Sequence, residues 1–166
     1  MKELMETITV MKPTECTEAE RQNFFSFIVA GREVTEQGLK ERIKKAEALV
    51  FLKQDNVLKG IAAVKKPESS YQRRVFKKAC ATAQPGDFLF ELGWVFVHPS
   101  SRGFGFSHKL VKAALGKFSQ GIFATSRSDN TLMHKTLKTH GFLSHGKAYT
   151  STIGNHKLIL FIRPFI

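Results

Sequence analysis

The sequence predicts an α/β fold, with strands and helices mixed along the chain and a mixed sheet that has helices on both faces. Two patterns predict it: hairpins dominate the first half of the chain, and strand–helix–strand units dominate the second half. The length of 166 residues agrees with this, because it suits a single domain, 1–166, with one continuous buried core.

The first elements are a strand and two helices. Residues 7–11 alternate in polarity and are rich in β-branched side chains, which predicts an opening strand. Residues 17–30 have apolar side chains at helical spacing, and Gly31 is the predicted end of this helix. A second helix is predicted to begin with Thr35 as its N-cap and to turn three side chains inward, namely Leu39, Ile43 and Ala46.

A hairpin and a basic segment come next. Residues 48–53 and 57–64 are predicted strands, and the intervening Gln54-Asp55-Asn56 favours a tight turn between them. From residue 65 to residue 87 the pattern loosens. The stretch SSYQRRVFKKACA within it is basic and partly amphipathic, which is compatible with a short helix.

The second half alternates strands with helices. The predicted strands cover residues 88–97, 121–125, 142–150 and 157–163. One helix between them has apolar side chains at helical spacing from Phe106 to Phe118. Another runs from Asn130 to His140 and is closed by Gly141.

Composition excludes several classes of protein. The chain is 42% hydrophobic and 24% charged, and no stretch approaches the ~20 apolar residues that a membrane-spanning helix needs. The first ten residues lack the apolar run and the cleavage site of a signal peptide. We therefore expect a cytoplasmic protein in which the two cysteines, Cys16 and Cys80, are buried and reduced.

The formal net charge of +12 is the strongest compositional signal. A charge of this size permits three kinds of partner: nucleic acid, an anionic surface or a polyphosphate cofactor. Net charge does not distinguish among them, so the arrangement of the residues has to do so.

The most informative segment is FELGWVFVHPSSRGFGFSHKLVKAAL, a strand followed by a glycine-containing loop and an amphipathic helix. Gly103 and Gly105 precede the helix, where glycine tolerates positive φ and lets a ligand approach the backbone. The first turn of a helix has unpaired N–H groups and a partial positive charge, so this junction suits a phosphate group. The loop lacks the Gly-Lys-Ser/Thr of a Walker motif and the third glycine of a dinucleotide fingerprint.

The pattern that remains, Arg-x-x-Gly-x-Gly/Ala after a Val-x-Pro strand end, resembles the GNAT superfamily of acyl-CoA-dependent N-acetyltransferases. Four segments carry the resemblance in order: the hairpin at Leu49 to Val64, VFVHPSSRGFGFS, ATSRSDN and HKTLKTHGF. Ser107 stands where the family has the last Gly or Ala of its loop. The resemblance implies a GNAT-like central sheet of six to seven strands that is mixed, largely antiparallel and twisted.

The resemblance also implies acetyl-CoA as co-substrate and direct attack by a primary amine on its thioester. It implies a bulge in the strand ending at Val97, which separates that strand from the next one and makes room for pantetheine. The residues expected at the cofactor are Phe96, Val97, Arg102, Gly103, Phe104, Gly105, Phe106, Ser107 and Asn130. No metal is expected, because the histidines show no ligand spacing.

Three residues are candidates for proton transfer. Glu91 lies six residues before Val97, which matches the position of the general base in the family, and a charged residue is uncommon in an apolar run. The usual tyrosine general acid corresponds to Leu137, so the alternatives are His134, one turn earlier, Tyr149, in the next strand, and water. The expected partner is a small-molecule or peptide amine, and the protein is expected to be a monomer or homodimer without a membrane contact.

Two other functions stay open at this stage. One is a catalytically silent protein of the same fold that senses CoA, because the usual tyrosine is replaced. The other is a nucleic-acid-binding module, in which Tyr71 and Phe76 would stack on bases. Its phosphate contacts would come from the four neighbouring cations: Arg73, Arg74, Lys77 and Lys78. For these aromatics, packing against the protein is the favoured alternative.

Overall fold

The computed structural model describes residues 2–116 and 118–166. Seven strands lie within these ranges: β1 (Glu6–Met11), β2 (Ala48–Gln54), β3 (Val57–Lys65), β4 (Phe90–Val97), β5 (Ile122–Arg127), β6 (Leu143–Thr150) and β7 (Lys157–Arg163). The five α-helices of the same described ranges are α1 (Glu18–Ala30), α2 (Leu39–Lys44), α3 (Ser69–Lys78), α4 (Phe106–Leu115) and α5 (Thr131–Thr139). The predicted order of elements is confirmed, and the basic segment forms α3.

The strands form a seven-stranded sheet in the order β1-β2-β3-β4-β5-β7-β6. β1 with β2, β2 with β3, β5 with β7 and β6 with β7 are antiparallel pairs. β4 with β5 is a parallel pair. The predicted mixed, largely antiparallel sheet within an α/β fold is therefore confirmed.

The chain divides into two compact units, and β4 contributes residues to both. The first unit comprises the described residues of Met1–Lys65 and Trp94–Lys117. Its core is made of α1, α2, β2 and β3, with five of its fully buried side chains being Phe24, Leu39, Ile43, Leu49 and Ile61. The second unit comprises Lys66–Gly93 and Phe118–Ile166, with a core around Phe76, Phe88, Phe123, Tyr149 and Leu160.

The start of α1 follows from its sequence, whereas the predicted start of α2 is wrong. Thr17 and Glu20 form a capping box at α1, because each side chain bonds the backbone amide of the other residue. α2 begins after Gly38 rather than at Thr35. Gly38 has a left-handed backbone with φ of 71°, so the chain turns there and the helix starts only at Leu39.

The hairpin between β2 and β3 turns as predicted, at Asp55 and Asn56. Both residues have positive φ, 48° and 66°, which is the backbone geometry of the two-residue turns that match strand twist. The prediction for the cysteines is only half right. Cys16 is buried and Cys80 is exposed at the end of α3, and both are free thiols.

The described ranges contain neither a membrane-spanning helix nor a cluster of metal-binding side chains. None of the helices there has both the length and the apolar composition needed to cross a bilayer. Nor do those ranges bring together three His, Cys, Asp or Glu side chains that could hold a metal ion.

Candidate functional site

The glycine loop in the first unit presents bare backbone to solvent. After the 3₁₀ turn at Pro99–Ser101, Gly103 and Gly105 adopt left-handed φ values of 89° and 76°, and α4 begins at Phe106. A Cβ placed on either glycine would meet nothing within 4 Å. The loop is exposed, so a ligand has room to approach the backbone here.

The amides of this loop are not used inside the protein. The amides of Ser101 and Arg102 donate to the carbonyls of His98 and Pro99. Across residues 2–116 and 118–166, no acceptor is found for the backbone N–H groups of residues 103–107. These five consecutive donors lie at the positive end of α4, and this arrangement suits an anion with several oxygens, such as a diphosphate.

Arg102 ties the loop to the end of β4. Its Nε donates to the carbonyl oxygen of Val97 at 3.1 Å, and its guanidinium carbon lies 5.6 Å from the centre of the Phe96 ring. The guanidinium is therefore held beside the exposed amides by the strand that precedes them. A cation in this position adds to the attraction for an anion.

The two residues predicted to contact pantetheine turn their backbones in opposite directions. The carbonyl oxygen of Phe96 lies 3.3 Å from the position of a Cβ on Gly60, and the amide of His98 donates to Lys59 at 2.8 Å. Phe96 therefore directs its backbone towards β3. Because successive residues of a strand alternate, Val97 directs its amide to the side away from β3.

A local irregularity interrupts β4 just before these residues. Trp94 has φ of 51°, a left-handed conformation that is unusual for a bulky residue within a strand and typical of a bulge. Its ring packs at 6.0 Å from Phe24 and at 4.8 Å from the ammonium of Lys65. The parallel ladder of β4 with β5 comprises two pairs, Phe90 with Ile122 and Glu91 with Phe123.

In the second unit, Glu91 forms the centre of a buried polar cluster. Its side chain is 2% exposed, and its Oε2 accepts a hydrogen bond of 3.0 Å from the hydroxyl of Tyr71 on α3. The charge of Glu91, followed by burial and by this hydrogen bond, raises the pKa of Tyr71 well above its usual value. Tyr71 is therefore a fixed proton donor to the carboxylate at neutral pH.

Tyr149 on β6 is the other phenol of this cluster, and it is 8% exposed. Burial, and then the charge of Glu91, raise its pKa above the usual value for tyrosine. Its hydroxyl has no hydrogen-bond partner within the part of the chain that the structure describes. Buried hydroxyl groups are normally satisfied, so this hydroxyl is a candidate donor to a bound group.

The helix α5 carries the remaining predicted residues. The side chain of Asn130 accepts from the amide of Met133 at 3.1 Å and caps the helix, as predicted. The Nε2 of His134 donates to the carbonyl of Arg127 at 2.8 Å, and its ring lies 5.0 Å from that of Phe161. Leu137, at the position of the usual tyrosine, is buried in the protein.

The structure places the predicted residues in two groups, one in each compact unit. The residues from Phe96 to Ser107 share the first unit, whereas Glu91 and Tyr149 interact in the second. Tyr71 was not predicted at this site. The sequence does carry a signal for it, because Tyr71 precedes Val75 and Phe76 by four and five residues and so lies on the buried face of the helix.

This placement removes the aromatic part of the nucleic-acid hypothesis. Phe76 is 3% exposed and packs 5.5 Å from the ring of Phe123, while Tyr71 is bonded to Glu91. Neither ring is presented to a base. The favoured alternative, packing against the protein, is confirmed for Phe76. The four cations remain on the exposed face of α3: Arg73, Arg74, Lys77 and Lys78.

Residues 16–142 match the family model of the acetyltransferase (GNAT) family. The chain belongs to the GNAT family of acetyltransferases. The match extends from the start of α1 to the end of α5 and includes both the glycine loop and Glu91. No curated protein sequence matches this GNAT chain.

Solved structures share the fold at low sequence identity. Escherichia coli ElaA is 11% identical with a TM-score of 0.69, over 96% of this chain and 99% of that one. A GNAT acetyltransferase from Bacillus cereus is 17% identical with a TM-score of 0.65, over 98% and 99%. YncA from Salmonella typhimurium, solved with its cofactor acetyl-CoA, is 15% identical with a TM-score of 0.63, over 96% and 94%. At these identities the likeness shows the fold alone.

Proposed function

We propose that this GNAT protein transfers an acetyl group from acetyl-CoA to a primary amine by direct attack. The observation that carries the proposal is the run of five consecutive amides from Gly103 to Ser107 with no acceptor in the described ranges. Such a run at the start of a helix is a binding site for a diphosphate, and acetyl-CoA contains one. The acceptor is a small-molecule or peptide amine, and the reaction takes place in the cytoplasm.

The residues of β4 and the loop would hold the thioester substrate. The amides from Gly103 to Ser107 and the guanidinium of Arg102 bind the diphosphate. The amide of Val97, which points away from β3, donates to the thioester carbonyl and stabilises the negative charge that develops there. Phe96 and Asn130 line the pantetheine arm. Holding both reactants in place supplies a large part of the catalysis.

Glu91 is the proposed general base. An alkylammonium group has a pKa near ~10 and must lose a proton before its nitrogen can attack. The buried carboxylate of Glu91 accepts that proton, the C–N bond forms at the thioester carbon, and the C–S bond then breaks. The second proton of the nitrogen leaves to solvent as the amide forms, and Glu91 passes the proton it accepted to solvent before the next turnover.

Tyr149 is proposed as the donor to the departing thiolate, in preference to His134. The Tyr149 hydroxyl stays protonated because burial and Glu91 raise its pKa, and no described residue accepts its hydrogen bond. The Nε2 proton of His134 is already donated to the carbonyl of Arg127. Tyr149 recovers its proton from solvent after thiol release.

Two measurements test the proposal. CoA should raise the melting temperature in proportion to the logarithm of its concentration above Kd, because it binds the folded state only. Acetyl-CoA with a panel of polyamines, amino acids and peptides should release free thiol, with the acetylated amine identified by mass spectrometry.

The outcomes separate the remaining alternatives. A stabilising effect of CoA without thiol release from any amine would leave a silent CoA-binding protein. Stabilisation by RNA but not by CoA would refute the acyltransferase proposal altogether. Loss of thiol release in Glu91→Gln, with the CoA effect retained, would support the assigned base.

A further inference from the structure

Tyr71 and Tyr149 are the only two tyrosines of the chain, and both interact with Glu91. They come from different elements, α3 and β6. Of these two phenols, Tyr71 donates a hydrogen bond to the carboxylate, 3.0 Å from its hydroxyl to Oε2. The mechanism proposed above uses Glu91 and Tyr149 and leaves Tyr71 without a role.

We propose that Tyr71 is a positioning residue that fixes the orientation of the Glu91 carboxylate for proton abstraction. This inference rests on the proposed function of Glu91 as general base. A hydrogen bond donated to a carboxylate stabilises its charged form. It also restricts rotation of the carboxyl group, which aims a base more accurately than burial alone.

The fold holds α3 against the segment that leads into Glu91. The side-chain amide of Gln72, which is 4% exposed, donates to the carbonyl of Pro85 at 2.7 Å and also to the carbonyl of Phe88. Phe76 packs 5.9 Å from the ring of Phe88. The residue next to Tyr71 is therefore bonded to the backbone just before β4, so the hydroxyl and the carboxylate are held by one local framework.

Both phenols of the second unit interact with Glu91. Arg74, one turn along α3, lies 5.7 Å from the ring centre of Tyr71 and lowers the pKa of that phenol, though less than Glu91 raises it. Tyr149 contributes a smaller increase to the pKa of Tyr71. Tyr71 consequently remains a donor throughout the pH range in which an amine acetyltransferase would work.

The hydrogen bond from Tyr71 to Glu91 can be tested without an assay of activity. Tyr149→Phe leaves Tyr71 as the single tyrosine, so its ionisation can be followed by tyrosinate absorbance after rapid pH jumps, before the protein unfolds. Tyr71 should ionise at a higher pH in Tyr149→Phe than in the double variant Tyr149→Phe/Glu91→Gln. Coincident titration curves would overturn the inference, because they would show that the carboxylate does not act on this phenol.

The role in catalysis is tested by the pH dependence of kcat/KM in Tyr71→Phe. A carboxylate that loses a hydrogen-bond donor has a less stable charged form, so the acid limb of the profile should move upwards by about one pH unit. A purely structural role would lower the plateau without moving the limb. Arg74→Gln is the matched control on the same helix and should leave the limb within a few tenths of a unit of the wild type.

The two proposals fail in different ways. Normal turnover in Glu91→Gln would refute the general base and with it the role of Tyr71. Impaired turnover in Glu91→Gln together with an unshifted limb in Tyr71→Phe would refute the Tyr71 inference alone. If Tyr71→Phe does not fold, the absorbance titration decides, since Tyr71 is retained in both variants that it compares.

Discussion

The glycine loop and the Glu91 cluster are built in opposite ways. From Gly103 to Ser107 the functional groups are backbone amides, presented by an exposed loop in which two glycines have positive φ. At Glu91 they are side chains that lie in a core or pack against it, and the charge of Glu91 raises the pKa of both phenols. A backbone site tolerates changes of side chain but not of φ, whereas a side-chain cluster depends on single atoms such as a phenolic oxygen.

The largest loss of activity should follow the removal of one oxygen atom from the buried cluster. Tyr149→Phe should lower kcat by about tenfold to a hundredfold, because it removes the proposed donor to the leaving thiolate. The free energy of unfolding should be unchanged or up to about 1 kcal/mol higher, since a buried hydroxyl without a described partner is lost. Thiol-release kinetics and chemical denaturation measure the two quantities.

His134→Gln is the control for this prediction. Glutamine can still donate to the carbonyl of Arg127, and kcat should remain within about threefold of the wild type. A large loss in His134→Gln with normal turnover in Tyr149→Phe would reverse the assignment of the proton donor and move it out of the buried cluster.

An intermediate effect is expected from the backbone of the glycine loop. Gly105→Val forces a β-branched residue into a left-handed conformation, with φ of 76°. We expect about 1–2 kcal/mol of destabilisation. We also expect about tenfold weaker CoA binding, because relief of the strain would move the amides. Denaturation and isothermal titration calorimetry measure these changes.

Gly38→Val separates backbone strain from ligand binding. Gly38 also precedes a helix with φ of 71° and has nothing within 4 Å of its Cβ position, so its substitution should cost similar stability. The affinity for CoA should not change. If both valine variants weaken CoA binding equally, the cause is general backbone strain, and the loop is not the diphosphate site.

The smallest change in CoA affinity should come from substituting a side chain in the loop. Ser107→Ala restores a residue that the family uses at this position and leaves the amide in place. The Kd for CoA should stay within about threefold of the wild type, measured by calorimetry. A tenfold loss would show that the hydroxyl binds the ligand and that the site is not made of backbone alone.

Local patterns explain how much of the fold could be predicted. The turn at Asp55-Asn56 and the left-handed glycines of the loop are each specified within a few residues, and both form as expected. The capping box at Thr17 is equally local. The start of α2 could not be predicted as well, because Thr35 is as good an N-cap by sequence as any. The left-handed turn at Gly38 is what makes the helix start at Leu39.

The sequence by itself determined the glycine loop, because the φ preference of glycine and the unpaired amides of a helix start are local properties. It also singled out Glu91 as a charge within an apolar strand. Only the tertiary structure decided which groups act on that charge. Tyr71 and Tyr149 lie 78 residues apart along the chain. They meet at Glu91 because α3 and β6 pack into the same core, and no local pattern encodes that meeting.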